Sequence, residues 1–304
     1  KAAAKARRLN QEAEITIIQK DPDLSMASCG YPYFVGGAFD DRKMLLATPT
    51  GVVRDPVFFQ KTKNIKAMTE TEAVSIDRDK KTVVCKKLKT GESTIVSYDK
   101  LILATGATPI KPPVSGLVLE GVRTLLSMTD TDFLRKVRDD GAIKKAVIMG
   151  GGLIGVEACE ALKESGLDVT LVEMAPHILP FLDPQLAMLV ENHMKSQGVK
   201  LITNCAIQSF VGEAGKLAGV VLENGIIIEC GVAVVATGVR PNAELARASG
   251  LEIGSLGGIL VNDSMVTSDE NIYAAGDCVE VKNIITGKNT LAPMGDLANL
   301  QGRV

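Results

Sequence analysis

The sequence predicts an α/β protein of two doubly wound units, each a parallel sheet with helices on its faces. Three observations predict it. Apolar, strand-length runs alternate with helix-length amphipathic runs along much of the chain. A glycine turn, GGGLIG at 150–155, joins one such run directly to a helix. A strand ending in Ala-Thr-Gly occurs twice, as LILATGATP at 101–109 and VAVVATGVRP at 232–241, which reads as two related units.

Taken in order, residues 1–10 (KAAAKARRLN) read as the end of an Ala- and Arg-rich helix, and EITIIQK (14–20) as a short buried strand. The stretch 53–72 reads as a helix leading into a strand, and KTVVCKKLKTGESTIVSYD as a hairpin turning at Thr90-Gly91. KLILATGATPIKPP is a buried strand, a turn and a proline-rich exit suited to a linker. Next, KKAVIMGGGLIGVEACEALKESGLDVTLVEMAP reads strand, turn, helix, strand, and PQLAMLVENHMKSQGVKLITNCAIQSFVG adds another helix and strand. GKLAGVVLENGIIIECGVAVVATGVRPN is a hairpin and a buried strand, and GGILVNDSMVTSDENIYAAGDCVEV returns to short strands.

Composition narrows the function. The 304 residues are 46% hydrophobic and 23% charged, enough for two cores. A formal net charge of −2 gives no field for nucleic acid or an anionic membrane, and no apolar run is long enough to span a bilayer. The six cysteines are scattered without a CxxC pair, and only His177 and His193 accompany them, so no metal site is expected. Unpaired cysteines fit a reducing, cytoplasmic compartment. The chain opens without Met and in mid-helix, so the true N-terminus is expected upstream of Lys1.

The strongest motif is VIMGGGLIGVE. Gly150, Gly152 and Gly155 form GxGxxG after a strand and at a helix start. The first glycine permits the tight turn, the second admits a pyrophosphate to the backbone, and the third lets helix pack on strand, with Leu153 and Ile154 opening the helix. Glu173 ends the next strand, where a carboxylate accepts a ribose 2′-hydroxyl. Met, Ala, Pro and His follow it with no Arg or Lys, which favours NADH over NADPH. Asp277, after Gly276 in NIYAAGDCVEV, stands at a strand's carboxyl end, where it either faces a ligand or caps local amides.

Cys29 lies in SMASCGYPYFVGG at an expected strand-to-helix junction, where a helix N-terminus favours the thiolate. Gly30 beside it would admit a flat ring. With no neighbouring cysteine, Cys29 can cycle only through a mixed disulfide, a persulfide or a sulfenic acid. Cys85, Cys159, Cys205, Cys230 and Cys278 read as structural. Lys5 to Arg8 (KARR), Lys61 and Lys63 read equally as an attraction for phosphate groups or as a solvated face.

The order of Cys29, Thr105-Gly106, the GxGxxG at 150–155, Thr237-Gly238 and Gly276-Asp277 resembles the pyridine nucleotide-disulfide oxidoreductases over essentially the whole chain. SxxxCGxPYxxGG most resembles the branch of coenzyme A-disulfide reductases and NAD(P)H persulfide or polysulfide reductases. The resemblance implies two Rossmann-like dinucleotide-binding domains, with an NAD(H) domain (116–256) inserted in an FAD domain (1–115 and 257–304). It implies a single catalytic cysteine, Cys29, facing the flavin. Asp277 would meet the FAD ribityl chain and Glu157 the nicotinamide. The segment LAPMGDLANLQGR (291–303), with Ala292, Leu297 and Ala298, would approach the flavin ring. Gln19, Lys20 and Ser25 would lie along FAD, with Gln19 where the family carries a ribose-binding carboxylate.

By the same resemblance, a first strand and its own GxGxxG belong before Lys1, so the FAD pyrophosphate contacts fall outside this sequence. A C-terminal dimerisation domain belongs after Val304, and a homodimer is implied. The expected reaction passes electrons from NAD(P)H through FAD to Cys29, which reduces a small-molecule disulfide, persulfide or polysulfide, with coenzyme A as the thiol. The alternatives are an NADH oxidase or peroxidase working through a sulfenic acid, toward which Ser28 leans, and a non-catalytic NADH-sensing flavoprotein.

Overall fold

The computed structural model, which describes residues 1–304, divides by packing into two units. The first comprises Lys1–Met26, Leu46–Thr108 and Arg240–Val304, and the second Ala27–Leu45 and Pro109–Val239.

The second unit is built on a five-stranded parallel sheet in the order Lys200–Ile202, Asp168–Val172, Lys145–Met149, Val232–Val235, Val122–Arg123. Val232–Val235 is buried at every position, as are Ala146–Ile148 and Val169–Val172. Unbroken β-branched and small apolar runs of this kind suit strands covered on both faces. The helix Leu153–Glu164 crosses over between Lys145–Met149 and Asp168–Val172 and buries Ala158, Cys159, Ala161 and Leu162. The sheet order reverses between Lys145–Met149 and Val232–Val235, the place where doubly wound sheets open a crevice at their carboxyl ends. A three-stranded antiparallel sheet, Ile207–Glu213, Lys216–Leu222 and Ile227–Glu229, shares the core of Val147, Val172, Phe210, Val220 and Leu222. The hairpin over 216–229 matches the sequence pattern, whereas that pattern places Ile207–Glu213 within the preceding helix-strand run. It is instead a separate strand, because Asn204 at positive φ breaks the chain after Ile202.

The first unit carries two separate parallel pairs, Thr16–Ile18 with Lys66–Met68 and Leu101–Leu103 with Ile272–Ala274. An antiparallel sheet of Thr71–Asp77, Thr82–Lys87 and Ser93–Ser97 adds Ile76, Val83 and Cys85 to a core with Leu103, Ile259, Ile272 and Val279. The helix Pro56–Lys63 starts where physical chemistry asks: Asp55 caps it by accepting the Phe58 amide at 2.7 Å, and Pro56 supplies a first position that needs no donor.

Arg7 fastens the N-terminal helix Ala2–Leu9. It is 7% exposed, and all five of its guanidinium N–H groups are used, on the carbonyls of Lys63, Asn10, Gln11, Ala13 and Asn64 at 2.5–3.3 Å. Two of those acceptors end the helix Pro56–Lys63, so one side chain joins two helix ends. No helix is long and apolar enough to cross a membrane.

Removing this fork leaves five carbonyls without their donor. Arg7→Ala should lower unfolding stability by ~2–4 kcal/mol in urea titrations. Arg7→Lys should recover less than half of the loss, because an ammonium cannot span the fork.

Candidate functional site

In the second unit the glycine turn sits at the sheet's reversal. The Gly150 amide donates to the Val172 carbonyl at 2.9 Å and the residue takes φ +107°. A Cβ there would lie 2.5 Å from the Ala236 carbonyl oxygen, so the turn presses against the Ala236-Thr237 backbone as only glycine can. Gly152 begins the helix Leu153–Glu164 with no side-chain cap, and the space in front of it is open to 4 Å. The first amides of a 12-residue helix thus remain for an anion. This arrangement fits the pyrophosphate of a dinucleotide.

Glu173 is 8% exposed and already engaged, accepting the Gly151 amide at 2.6 Å and the Ala175 amide at 2.7 Å. Each oxygen keeps a further lone pair, so the carboxylate braces the glycine turn while retaining acceptor capacity. Ile178, fully buried, lies over Gly151, and Leu179 donates to the Gly151 carbonyl at 2.8 Å. Glu157 is exposed one helical turn in; partial desolvation of its carboxyl and the neighbouring Glu160 push it above the usual range. Thr237 donates from its hydroxyl to the Ile110 carbonyl at 2.8 Å, and Gly238 accepts the Ile110 amide at 2.9 Å.

In the first unit, Leu101–Leu103 and Ile272–Ala274 run parallel with Leu103 opposite Ala274. Thr105-Gly106 and Gly276-Asp277 therefore leave the same sheet edge side by side. Asp277 makes no hydrogen bond to protein through its carboxyl, and burial raises its pKa. A partly desolvated carboxyl without a partner at a strand's carboxyl end fits a ligand hydroxyl, as the ribityl chain of FAD would supply. The helix Gly295–Gln301 closes on this turn: Ala298 lies 3.7 Å from where a Gly276 Cβ would be, and Gln301 accepts the Gly276 amide at 2.7 Å. Leu297 lies on the same helix, its amide held by Asp296, while Ala292 precedes the helix outside any regular element, its carbonyl accepting the Met294 amide at 2.8 Å.

Gln19, Lys20 and Ser25 belong to the other parallel pair. Gln19 donates to the Asp23 carbonyl at 3.1 Å, Lys20 pairs with Glu72 at 2.7 Å, and Ser25 accepts from Arg54 at 3.2 Å.

Cys29 lies in a 3-10 turn, Ser28–Gly30, followed by a six-residue helix, Tyr31–Gly36. It is exposed, whereas the other five cysteines are 0–5% exposed. The missing Cβ of Gly30 leaves room for the buried Leu45, whose Cδ2 would lie 2.6 Å from it. Arg135 donates to the carbonyls of Phe34 and Phe39 and pairs with Asp40 and Asp139. Ser165, just past the glycine-motif helix, donates to the Val35 carbonyl at 3.0 Å. The thiol's segment is therefore pinned to the helices Met128–Asp140 and Leu153–Glu164 of the second unit.

Sequence reasoning missed Gln301, Leu45 and Asn242. Asn242 makes hydrogen bonds to Thr105, Gly106 and Thr108. It also missed that Arg7 is consumed structurally. A cleft of about 380 Å³ beside Arg7 is lined by Arg8, Gln11, Lys61, Thr62, Lys63 and Asn64. Arg8 and Lys61 are exposed there and have no acidic partner.

The model of the pyridine nucleotide-disulphide oxidoreductase family matches residues 1–294. An NADH oxidase of Methanocaldococcus jannaschii is 38% identical over 99% of the chain and 65% of its own length. An NAD(P)H coenzyme A polysulfide/persulfide reductase of Pyrococcus horikoshii is 31% identical over 100% of the chain and 65% of its own length. Among solved structures, an NAD-dependent persulfide reductase from A. fulgidus superposes with a TM-score of 0.96 at 43% identity, over 99% of the chain and 55% of that protein. The chain thus spans about two thirds of these curated relatives.

Exposure sorts the thiols. Burial pushes the Cys230 thiol up to about 12 and raises those of Cys85 and Cys159. Brief treatment of native protein with iodoacetamide at neutral pH should label Cys29 alone among these six cysteines, with the others reacting only after denaturation, as read by peptide mass spectrometry.

Proposed function

Because this chain belongs to the pyridine nucleotide-disulphide oxidoreductase family, we propose that it passes two electrons from NADH through FAD to Cys29, which reduces a disulfide or persulfide of a coenzyme A-type thiol. The observation that carries this reading is the contrast among the thiols: one exposed cysteine on a segment pinned to the glycine-motif helix, and five buried ones.

The glycine turn at 150–155, the uncapped start of Leu153–Glu164 and Glu173 would hold the NADH, with Glu157 toward the nicotinamide. Thr105, Gly106, Gly276 and Asp277 would hold the ribityl side of FAD, whose chemistry is to take a hydride and return electrons to sulfur. Cys29 as thiolate attacks one sulfur of RS–SR, forming Cys29–S–SR and releasing RS⁻. Two electrons from NADH then cleave that bond to Cys29–S⁻ and a second RS⁻. The sum is NADH, a proton and RSSR giving NAD⁺ and two RSH.

The cationic cleft at Arg8, Lys61 and Lys63 supports a phosphate-bearing thiol, since it offers charges with no protein acid to neutralise them. Glu173, with no Arg or Lys among the four residues after it, supports NADH over NADPH. A second reading, an NADH oxidase cycling Cys29 through a sulfenic acid, is supported by the absence of a nearby partner thiol and by the similarity to the M. jannaschii oxidase.

Cys29→Ser should abolish NADH-driven reduction of coenzyme A disulfide while leaving flavin content and NADH binding intact. Retained turnover would overturn the mechanism, and oxygen uptake by the wild type exceeding disulfide reduction would favour the oxidase. Arg8→Glu with Lys61→Glu should raise KM for coenzyme A disulfide at least ~10-fold at low salt, with kcat little changed and inorganic polysulfide reduction unaffected.

A further inference from the structure

The two Ala-Thr-Gly turns are held by the same backbone device, and only one of them has an added side chain. In the second unit, Thr237 donates its hydroxyl to the Ile110 carbonyl and Gly238 accepts the Ile110 amide. In the first, Thr105 donates its hydroxyl to the Asn242 carbonyl at 2.5 Å and Gly106 accepts the Asn242 amide at 2.9 Å. The residues correspond by position: Ile110 stands five past Thr105, and Asn242 five past Thr237. Ile110 shows that this two-bond clasp forms with no polar side chain.

Asn242 nevertheless adds two more bonds. Its Nδ2 donates to the Thr105 carbonyl at 2.9 Å, and its Oδ1 accepts the Thr108 hydroxyl at 2.6 Å. Every polar group of Asn242 thus grips residues 105–108, the turn that emerges beside Gly276-Asp277. The hydroxyl proton of Thr105 is committed to Asn242, so Thr105 can offer a ligand only lone pairs. The Asp277 carboxylate likewise only accepts. The edge is set to receive donors, as the hydroxyls of a ribityl chain are.

We infer that Asn242 is a positioning residue that orients the Thr105-Gly106 turn for the flavin, a role that rests on the FAD reading of the first unit. If the carboxamide served only to fold the turn, the Ile110 clasp would be enough. A fixed turn spares the ligand the cost of ordering it, so the loss should appear in flavin affinity.

The test uses the purified full-length protein stripped of flavin and titrated with FAD, read by quenching of flavin fluorescence. NADH binding, read by its own fluorescence, reports on the second unit. The wild type should bind one FAD. Asn242→Ile copies the other unit's clasp, and should keep the wild-type circular dichroism and NADH affinity while weakening FAD at least ~10-fold. Asn242→Asp turns the Nδ2 donor into a second acceptor facing the Thr105 carbonyl. Its FAD affinity should fall as far at pH 7 and recover relative to Asn242→Ile as pH drops toward ~4.5, where a protonated acid can donate. Thr108→Val, which removes only the outer bond, should weaken FAD ~3-fold.

Wild-type FAD affinity in Asn242→Ile overturns the inference. Should that variant not fold, wild-type affinity in both Asn242→Asp and Thr108→Val overturns it. A wild type that takes up no FAD refutes the reading of the first unit, and the role of Asn242 falls with it.

Discussion

Parallel pairing between strands remote in sequence is the constraint on which both candidate sites depend. Neighbours that run the same way finish at the same edge, so whatever follows each strand is brought together. Leu101–Leu103 and Ile272–Ala274 are about 170 residues apart, yet their register sets Thr105-Gly106 beside Gly276-Asp277. In the second unit the same logic puts Gly150 against Ala236, with Glu173 one strand over. Antiparallel pairing would send these turns to opposite ends, and no amount of local glycine would reassemble them.

That constraint explains what the sequence disclosed. Strand, turn and acid follow one another along the chain in GGGLIG and Glu173, so their joint meaning can be read without coordinates. The Ala-Thr-Gly repeats were legible for the same reason. Asn242, Gln301 and Leu45 were not, because each acts on a partner 15 to 137 residues away: Gly30 for Leu45, Gly276 for Gln301 and Thr105 for Asn242. Neither composition nor periodicity encodes such a bond. Glu173 shows a subtler limit. The motif predicts an acid there, but only the structure shows that the acid also braces the turn through Gly151 and Ala175.

Burial gives the six cysteines different chemistries without any change of residue. A thiol must ionise to attack sulfur, and desolvation opposes ionisation. Cys159 and Cys230 are held protonated in this way, inside a helix-sheet interface and a β core. Cys278 is also enclosed, its thiol against the carbonyls of Ala275 and Leu103. Cys29 stays exposed because its turn is secured by what surrounds it, Leu45 beneath Gly30 and Arg135 on the Phe34 carbonyl, and not by burial of the sulfur itself.

Arg7 makes a related point about the cationic cleft. A buried guanidinium would ordinarily be paired with a carboxylate, which would cancel its field. Here carbonyl dipoles satisfy it instead, so the full positive charge persists while every donor is spent. Its charge adds to those of Arg8, Lys61 and Lys63, and none of them meets an acid. Pairing Arg7 with a glutamate would remove one charge from that sum. With carbonyls in place of a carboxylate, the donors of Arg7 hold the fold while its charge beside the cleft stays uncancelled.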